Sequence, residues 1–335
     1  MRKKWKGVEE LIDTFSLFLS QIQVGEFESL RDLSLAPIFG VDDPDPGLNY
    51  LTLDEAMEKG LLKIREKEEG AEVSELLAEN LGDLPVLILD GEELIGAKQN
   101  RTLNTTILLK EKSKTIIPVS CTEAGRWHHK STFFAKSEFF VSSRIREEKV
   151  KTVTQSLKEK RGFRSNQGGI WGRIDQIAWE TGFRPETGAF RDIASRQIQE
   201  IKDHLEGFLP KQGQTGFMVK IRGKIVGMEF LSSPRAFSKL CHRILGGFAF
   251  DSLFNLTNGI FRIYSRKSFL DQIKKSKVEI FNSVGYGKDL RLWGEKIVGS
   301  SLIYNGLVIH GVFFTKSEDR GVFRTPYFVD YSLGR

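Results

Sequence analysis

Short apolar runs that end in glycine-containing turns recur along the chain and predict β-strands. The first run, residues 86–89, leads into Asp90-Gly91, a dipeptide typical of tight hairpins, and residues 94–95 begin a return strand. The same order of strand, turn, short strand and glycine occurs at residues 217–227 and 302–311. Either the chain repeats a unit, or ordinary hairpins have converged on one form. Both interpretations predict three glycine-turn hairpins.

A helical period replaces this pattern in residues 142–209. Isoleucines recur at spacings of four and three between positions 170 and 177, which places them on one face of a helix. Thr52 and Glu55 have the spacing of a capping box and predict a short helix. Ser233-Pro234 combines a good N-cap with proline in the first turn, so another helix is expected to begin there.

Hairpins that are separated from helices predict an α+β fold with mainly antiparallel sheet and a central helical section. No G-x-G-x-x-G follows a predicted strand and no phosphate-loop spacing occurs, which argues against dinucleotide and nucleoside-triphosphate motifs. We expect one domain over residues 1–335. Its expected parts are a β-rich part with the polar motifs at 8–135, the helical section at 142–209, and a second α+β part at 210–335.

Two predicted strands end in dense groups of polar residues. The first group follows Gly96 and contains Lys98, Gln99, Asn100, Arg101 and Asn104. The second follows the apolar strand 116–120 and contains Cys121, Glu123, Arg126 and Trp127, with His128 and His129 next. A solvated sheet edge that discourages aggregation would explain either group alone. Because both groups follow strands, we expect them to converge on one concave site.

The sequences around these groups resemble a known family. LTLDEAMEKG (51–60), DGEELIGAKQNRTLN (90–104) and IPVSCTEAGRW (117–127) are similar to the ARG and rhodanese-phosphatase-superfamily-associated protein domain, where ARG means ADP-ribosylglycohydrolase. The family takes its name from the genes beside it. The resemblance extends through SNQGGIW (165–171) and the helix at 237–253, and so covers most of the chain. It implies a role, by association, in handling NAD-derived or ADP-ribosylated molecules.

The residue types in the two groups suit a nucleotide. Glu123, Arg126 and Trp127 could bind a ribose hydroxyl, a phosphate and a base respectively. The other expected ligand-binding residues form a polar wall; they are Glu93, Lys98, Gln99, Asn100, Arg101 and Asn104.

Catalysis would need a titratable or nucleophilic group in that site. Glu123 is the leading carboxylate candidate, whereas Glu92 beside the turn is better explained as a charged hairpin tip. Cys121 is a candidate nucleophile, and a small buried cysteine is the alternative. Adjacent histidines on an extended segment point apart, so His128 and His129 predict no metal site. No cofactor is expected.

Composition limits the compartment and the partners. The chain has no apolar stretch of about 20 residues and only two cysteines, Cys121 and Cys241, so we expect a cytoplasmic protein that does not cross a membrane. The net charge is +6, and cations concentrate in residues 144–164. A solvated helix face is the favoured interpretation of that run. A polynucleotide or a diphosphate is the alternative partner, although no stacking aromatics are interleaved.

The leading hypothesis is that the chain recognises an NAD-derived nucleotide such as an ADP-ribose derivative. Whether it also hydrolyses or transfers that nucleotide stays open. A competing hypothesis is a non-catalytic binding module that partners a separate glycohydrolase or phosphatase. The third is an RNA-binding protein that uses residues 144–164. Whether the chain is an enzyme stays open at this point.

Overall fold

The computed structural model describes residues 2–40, 48–67, 74–126, 128, 130–254, 256 and 261–317, with side chains from residue 7 onward. Within these ranges the chain forms helices and antiparallel sheets, which confirms the α+β class. The helices are α1 (Arg2–Gln21), α2 (Leu53–Glu58), α3 (Ser143–Lys158), α4 (Gln167–Glu180), α5 (Phe190–Ser195), α6 (Ile198–Leu205), α7 (Pro234–Leu253) and α8 (Arg266–Lys274).

The strands are mostly short before residue 210 and longer after it. In chain order they are β1 (Gln23–Val24), β2 (Glu28–Leu30), β3 (Leu33–Phe39), β4 (Leu51–Thr52), β5 (Leu62–Glu66), β6 (Glu75–Asn80), β7 (Val86–Ile88), β8 (Glu93–Ile95), β9 (Arg101–Leu103), β10 (Ile107–Leu109), β11 (Ser113–Cys121), β12 (Ala135–Lys136), β13 (Gln214–Ile221), β14 (Lys224–Leu231), β15 (Lys277–Asn282), β16 (Lys288–Trp293), β17 (Ile297–Tyr304) and β18 (Leu307–Thr315).

The strands assemble into one large sheet and two small ones. The large sheet has the order β1-β3-β13-β14-β18-β17-β16-β15, with β2 beside β3. The small sheets have the orders β10-β7-β4 and β12-β8-β9-β11-β6-β5. All pairs are antiparallel except β4 with β7. The first strands of the chain therefore join the large sheet, while the polar motifs lie on the small ones.

Both faces of the large sheet are covered. On β13, Phe217 and Val219 point into one core, which α7 helps to cover, and Met218 points into another that includes Phe15 and Phe18 of α1. Because successive side chains on a strand alternate between faces, a sheet buried on both sides needs apolar residues at nearly every position. This requirement explains the continuous apolar runs of β13, β14, β17 and β18. A third core lies between the small sheets.

Local sequence signals decide several element ends. Thr52 accepts a hydrogen bond from the Glu55 amide while the Glu55 carboxylate accepts one from the Thr52 amide, which confirms the predicted capping box of α2. Ser233 caps α7 and Pro234 occupies its first turn, as predicted. Among the described residues, none of the helices combines the length and apolar composition that a bilayer crossing requires.

The turn at Asp90-Gly91 differs from the predicted hairpin. β7 pairs with β10 and β4, whereas β8 pairs with β9 and β12, so the strands on either side of the turn belong to different sheets. By contrast, Arg222-Gly223 joins β13 to β14, and Asn305-Gly306 joins β17 to β18. The two strands of each pair are hydrogen-bonded neighbours. Gly91 has a φ of +90°, and a Cβ there would collide with the side chain of Arg146. The glycine therefore serves close packing as well as chain reversal.

The basic run at 144–164 is only half solvated, so the predicted solvated face is wrong for its first part. Arg144, Arg146 and Lys149 of α3 are buried, with 7%, 1% and 0% of their surfaces exposed. Lys158 and Lys160 are exposed. The buried cations share one side of α3 with apolar residues of the main core, because α3 packs against the large sheet.

Candidate functional site

The two polar groups meet because β9 and β11 are antiparallel neighbours. Arg101 at the start of β9 lies opposite Cys121 at the end of β11. The residues before β9 and after β11 therefore emerge at the same edge of the sheet. We call the resulting group the motif cluster; it consists of Gln99, Asn100, Arg101, Cys121, Glu123 and Arg126, and all six are buried.

Glu123 and Arg126 form the centre of the motif cluster. Arg126 donates from Nε to Glu123 Oε1 at 2.9 Å and from Nη2 to Oε2 at 2.7 Å, a bidentate pair. Arg126 Nη1 also donates to the Ala97 carbonyl at 2.6 Å, and the Asn100 amide donates to Glu123 Oε2 at 3.1 Å. Burial opposes the charge of Glu123, but these hydrogen bonds outweigh it and lower the pKa of the carboxyl. Glu123 is therefore an ionised, fully engaged acceptor.

Arg101 holds the other end of the motif cluster. Its Nη1 donates to Gln99 Oε1 and lies 2.8 Å from both that oxygen and Cys121 Sγ, while Nη2 is 3.5 Å from Glu66 Oε1. Burial raises the pKa of the Cys121 thiol in spite of the nearby Arg101. A thiol that stays protonated at neutral pH is a weak nucleophile.

The remaining expected site residues are spread around the motif cluster. Asn104 is buried and binds the Phe163 carbonyl at 2.9 Å and Ser120 Oγ at 2.5 Å. Lys98 is exposed at the surface, as is His128. Trp127 and His129 lie outside the described residues, so the predicted base-binding role of Trp127 stays a prediction. Among the expected polar residues of the first group, Lys98 alone is exposed.

Glu93 faces a cleft beside the motif cluster. Thr122 Oγ1 donates to Glu93 Oε1 at 2.8 Å, and burial raises the pKa of Glu93 to about 7. Arg191 Nη1 donates to Ser137 Oγ at 2.7 Å at the same place. The cleft, which we call the Glu93 cleft, is also lined by Phe139, Phe140, Phe190 and Ala194. Its free volume is about 10 Å³, the space of one water molecule.

A second buried polar group joins the small sheets to the large one, and sequence reasoning missed it. We call it the bridging network; it consists of Asp90, Thr106, Arg146, Lys149, Glu229 and His310. Lys149 Nζ lies 2.6 Å from Asp90 Oδ1, and Arg146 makes two 2.8 Å hydrogen bonds to Glu229. His310 connects Glu229 Oε1 at 3.0 Å with Thr106 Oγ1 at 2.8 Å.

The bridging network left one signal in the sequence. Arg146 and Lys149 are three positions apart, and Lys149 is followed by Val150 and then Val153, so both cations lie in the apolar stripe of a helix. Burial lowers the pKa of Lys149 to about 8, although the Asp90 carboxylate opposes this shift. For Glu229, burial is outweighed by Arg146 and His310, which lower its pKa.

Glu92 is also a member of a buried ion pair and not a charged hairpin tip. Its Oε1 lies 2.8 Å from Arg243 Nη1, which also contacts Asp54 Oδ1 at 2.6 Å. Burial raises the pKa of Glu92 to about 7, with Arg243 opposing the shift. The interpretation of Glu92 as a charged hairpin tip is therefore wrong, because α3 and α7 cover the neighbouring turn.

The arrangement supports rigid positioning better than chemistry. Glu123 neutralises Arg126, Glu66 lies 3.5 Å from Arg101, and the hydrogen bonds of Glu123 and Arg126 hold the loops at 96–100 and 122–126. Among the described residues, no group of three or more His, Cys, Asp or Glu side chains has the geometry of a metal site.

Comparison with known proteins yields one informative match. The model of the family described as ARG and Rhodanese-Phosphatase-superfamily-associated Protein domain matches residues 21–314. No curated protein and no solved structure matches the chain significantly.

Proposed function

The chain belongs to the ARG and Rhodanese-Phosphatase-superfamily-associated Protein domain family, and from this membership we propose that it is a non-catalytic binding module. Its proposed partner is a separate ADP-ribosylglycohydrolase or a protein of the rhodanese-phosphatase superfamily, the two groups that the family name associates with it. The observation that carries the proposal is that the Glu123 and Arg126 side chains of the motif cluster are paired inside the protein. Residues that would be expected to meet a substrate bind one another instead.

The motif cluster supports a scaffold role for the family motifs. Arg126 binds Glu123 and the carbonyls of the loop at 96–97, so it ties the two polar segments into one unit. A buried charge pair of this kind contributes conformational specificity more readily than net stability. The proposed consequence is a rigid surface above the cluster, formed by the exposed residues Lys98, Gly125, His128 and Lys130. We call it the motif surface.

The charge of the motif surface suggests what it binds. Lys98 and Lys130 are both exposed cations, and they stand on loops that the motif cluster holds in place. Exposed cations on a fixed backbone favour an acidic partner surface and raise its association rate. We therefore propose an acidic patch on the partner protein as the counterpart. The two cysteines are free and buried, which supports the expected reducing cytoplasm as the compartment.

The test is association of the full chain with purified candidate partners, namely an ADP-ribosylglycohydrolase and a protein of the rhodanese-phosphatase superfamily. Isothermal titration is expected to detect a complex that Lys98→Glu together with Lys130→Glu weakens by about tenfold or more. The matched control is Lys160→Glu together with Arg161→Glu, an equal charge change on exposed residues of α3's C-terminal flank. The proposal is contradicted if neither partner forms a complex with the chain, or if both double variants weaken the complex equally.

A second candidate function is recognition of an NAD-derived nucleotide, and the Glu93 cleft is the observation that favours it. A carboxyl with a pKa near 7, an arginine and three phenylalanines line one opening. Binding of ADP-ribose would require the cleft to widen, because its present free volume is about 10 Å³.

Titration with NAD, ADP-ribose and ADP-ribose phosphates, with mass detection of products, separates the two functions. Binding that Arg191→Ala abolishes would support nucleotide recognition, and turnover would make the chain an enzyme. With the parent chain, neither binding nor products are expected if partner binding is its whole function.

A further inference from the structure

The six-stranded small sheet has an exposed outer side where β5, β6 and β11 are neighbours. Ile64, Ala78 and Ile117 on these strands point into the core between the small sheets. Because side chains alternate along a strand, the residues next to them point away from that core. We call this group the outer face; none of its members is fully buried, and they are Lys63, Arg65, Leu77, Glu79, Lys114 and Ile116.

Apolar side chains cross the middle of the outer face. Leu77 lies directly opposite Ile116 on one side and Arg65 on the other, and Ile116 is 40% exposed. Beside β5, Phe133 is 45% exposed, and Lys63 Nζ lies 5.8 Å from the centre of its ring. A solvated strand face usually carries polar side chains. Apolar residues inside a charged rim are instead the anatomy of a protein interface.

The cations of the outer face are only partly neutralised. Lys114 Nζ lies 3.3 Å from Glu79 Oε1. Within the part of the chain that the structure describes, Lys63 and Arg65 form no ion pair, although other cations of the same strands do. Carboxylates on a partner protein would complement these two charges.

A hydrogen-bonded loop joins the outer face to the motif surface. The Lys130 amide donates to the Ala97 carbonyl at 3.0 Å. The Ala97 amide donates to Ser131 Oγ at 3.0 Å, and Ser131 Oγ donates to the Phe133 carbonyl at 2.8 Å. The cations of the motif surface and the exposed ring of Phe133 therefore stand on one fixed segment.

The size of the motif surface requires a wider contact. A stable protein interface buries about 800 Å² on each partner and uses about 20–30 residues a side, far more than the four residues of the motif surface. Towards α5 the neighbouring charge is the exposed Asp192, on which Lys130 acts. Towards β5 the neighbouring charges are Lys63 and Arg65. An acidic partner is repelled by the first and attracted by the second.

We propose that the acidic partner of the motif surface also covers the outer face. Its apolar side chains pack on Phe133 and Ile116, and its carboxylates bind Lys63 and Arg65. This inference rests on the proposed function, because it extends the same interface. It adds that the partner presents an apolar patch among its acidic residues.

Charge reversal on the outer face is the first test. In isothermal titration with an ADP-ribosylglycohydrolase and with a protein of the rhodanese-phosphatase superfamily, Lys63→Glu with Arg65→Glu should weaken the complex by about tenfold or more, because two attractions become repulsions. The matched control is Arg222→Glu with Lys224→Glu at the β13–β14 turn. It also changes one exposed and one half-buried cation two positions apart. Equal weakening by both double variants overturns the inference.

Truncation of the apolar residues is the second test. Phe133→Ala with Ile116→Ala should weaken the complex by about tenfold or more, as expected for side chains at the centre of an interface. The control is Trp179→Ala with Leu209→Ala, at residues that are 83% and 78% exposed elsewhere on the molecule. This control should leave the affinity unchanged, and an equal loss in both variants contradicts the inference.

Lysine acetylation of the unmodified chain needs no variant to fold. Binding of the partner should protect Lys63, while the exposed Lys274 of α8 stays reactive. If Lys98→Glu with Lys130→Glu weakens the complex but Lys63 is not protected and the outer-face variants bind normally, the inference fails and the proposed function stands. If no complex forms, both fail.

Discussion

The motif cluster and the bridging network are both buried groups of charges, but they are built over very different distances along the chain. The motif cluster draws its six residues from positions 99–126 and from one pair of neighbouring strands. The bridging network joins Asp90 on the small sheets through α3 to Glu229 and His310 on the large sheet. The first organises two loops, and the second holds the halves of the molecule together.

Because of this difference, loss of an arginine is expected to have a different consequence in each group. In the motif cluster, Arg126 binds main-chain carbonyls as well as Glu123, so its loss would release local backbone. In the bridging network, Arg146 binds carboxylates from two sheets, so its loss would remove the bidentate partner of Glu229 and leave Asp90 with Lys149 alone. Uncompensated buried charge is among the most destabilising defects that a fold can contain.

The largest expected effect is that of Arg146→Met. The variant leaves two buried carboxylates short of a partner, and we expect it to lower the free energy of unfolding by about 3–5 kcal/mol. Denaturant unfolding followed by circular dichroism measures the change. Arg161→Met, on an exposed residue beyond the end of α3, is the control and should stay within about 0.5 kcal/mol of the parent. A similar small change in both variants would contradict the structural role of the bridging network.

Arg126→Met tests the motif cluster in the same way. In the phosphate-binding role that the sequence predicts, Arg126 would contribute to ligand affinity and not to the fold. The buried pair with Glu123 predicts instead a loss of about 2–3 kcal/mol in unfolding free energy, smaller than for Arg146 because the neighbouring loops can admit water. Adding Glu123→Gln should recover part of the loss by removing the unpaired charge. A fully stable single variant would return Arg126 to the list of ligand-binding residues.

Glu93→Gln tests the titration of the Glu93 cleft. The pKa of Glu93 is raised from 4.5 to about 7 in the folded chain, so the folded state binds the proton more tightly than the unfolded state does. Stability therefore falls as pH rises from about 4.5 to 7, by roughly 2–3 kcal/mol for this group. Glu92 has the same shift and adds a similar slope. Asp251, whose pKa burial raises from 3.8 to about 6, adds a further fall in the same range. The variant should therefore remove about a third of the total fall, measured as unfolding free energy against pH. An unchanged slope would show that Glu93 does not titrate in this window.

The smallest effect is expected at the exposed end of the basic run. Replacement of Lys158 and Lys160 by Gln should change stability and RNA binding little, because the buried members of the run are left in place. Binding of a labelled RNA of about 20 nucleotides at about 50 and 200 mM salt is the measurement. Tight binding that collapses both at high salt and in the variant would favour the RNA-binding hypothesis over the partner module.

Local and periodic features were predictable from the sequence. Alternating and helical patterns predicted the α+β class, and the caps of α2 and α7 followed from the residues at Thr52 and Ser233. The family motifs identified the family without any structure. These features depend on neighbouring residues in the chain, so a single sequence contains the whole of the information.

Long-range packing determines which polar residues face solvent. Lys98 is exposed, whereas Lys149 is buried against Asp90. The apolar stripe of α3 indicates that Lys149 is buried, but it does not show that Asp90 is its partner. The sheet partners of β7 and β8 were likewise decided at long range, and with them the environment of Asp90-Gly91. Burial of a charge depends on a counter-charge from a distant segment, and the spacing of residues along one strand or helix does not contain the position of that segment.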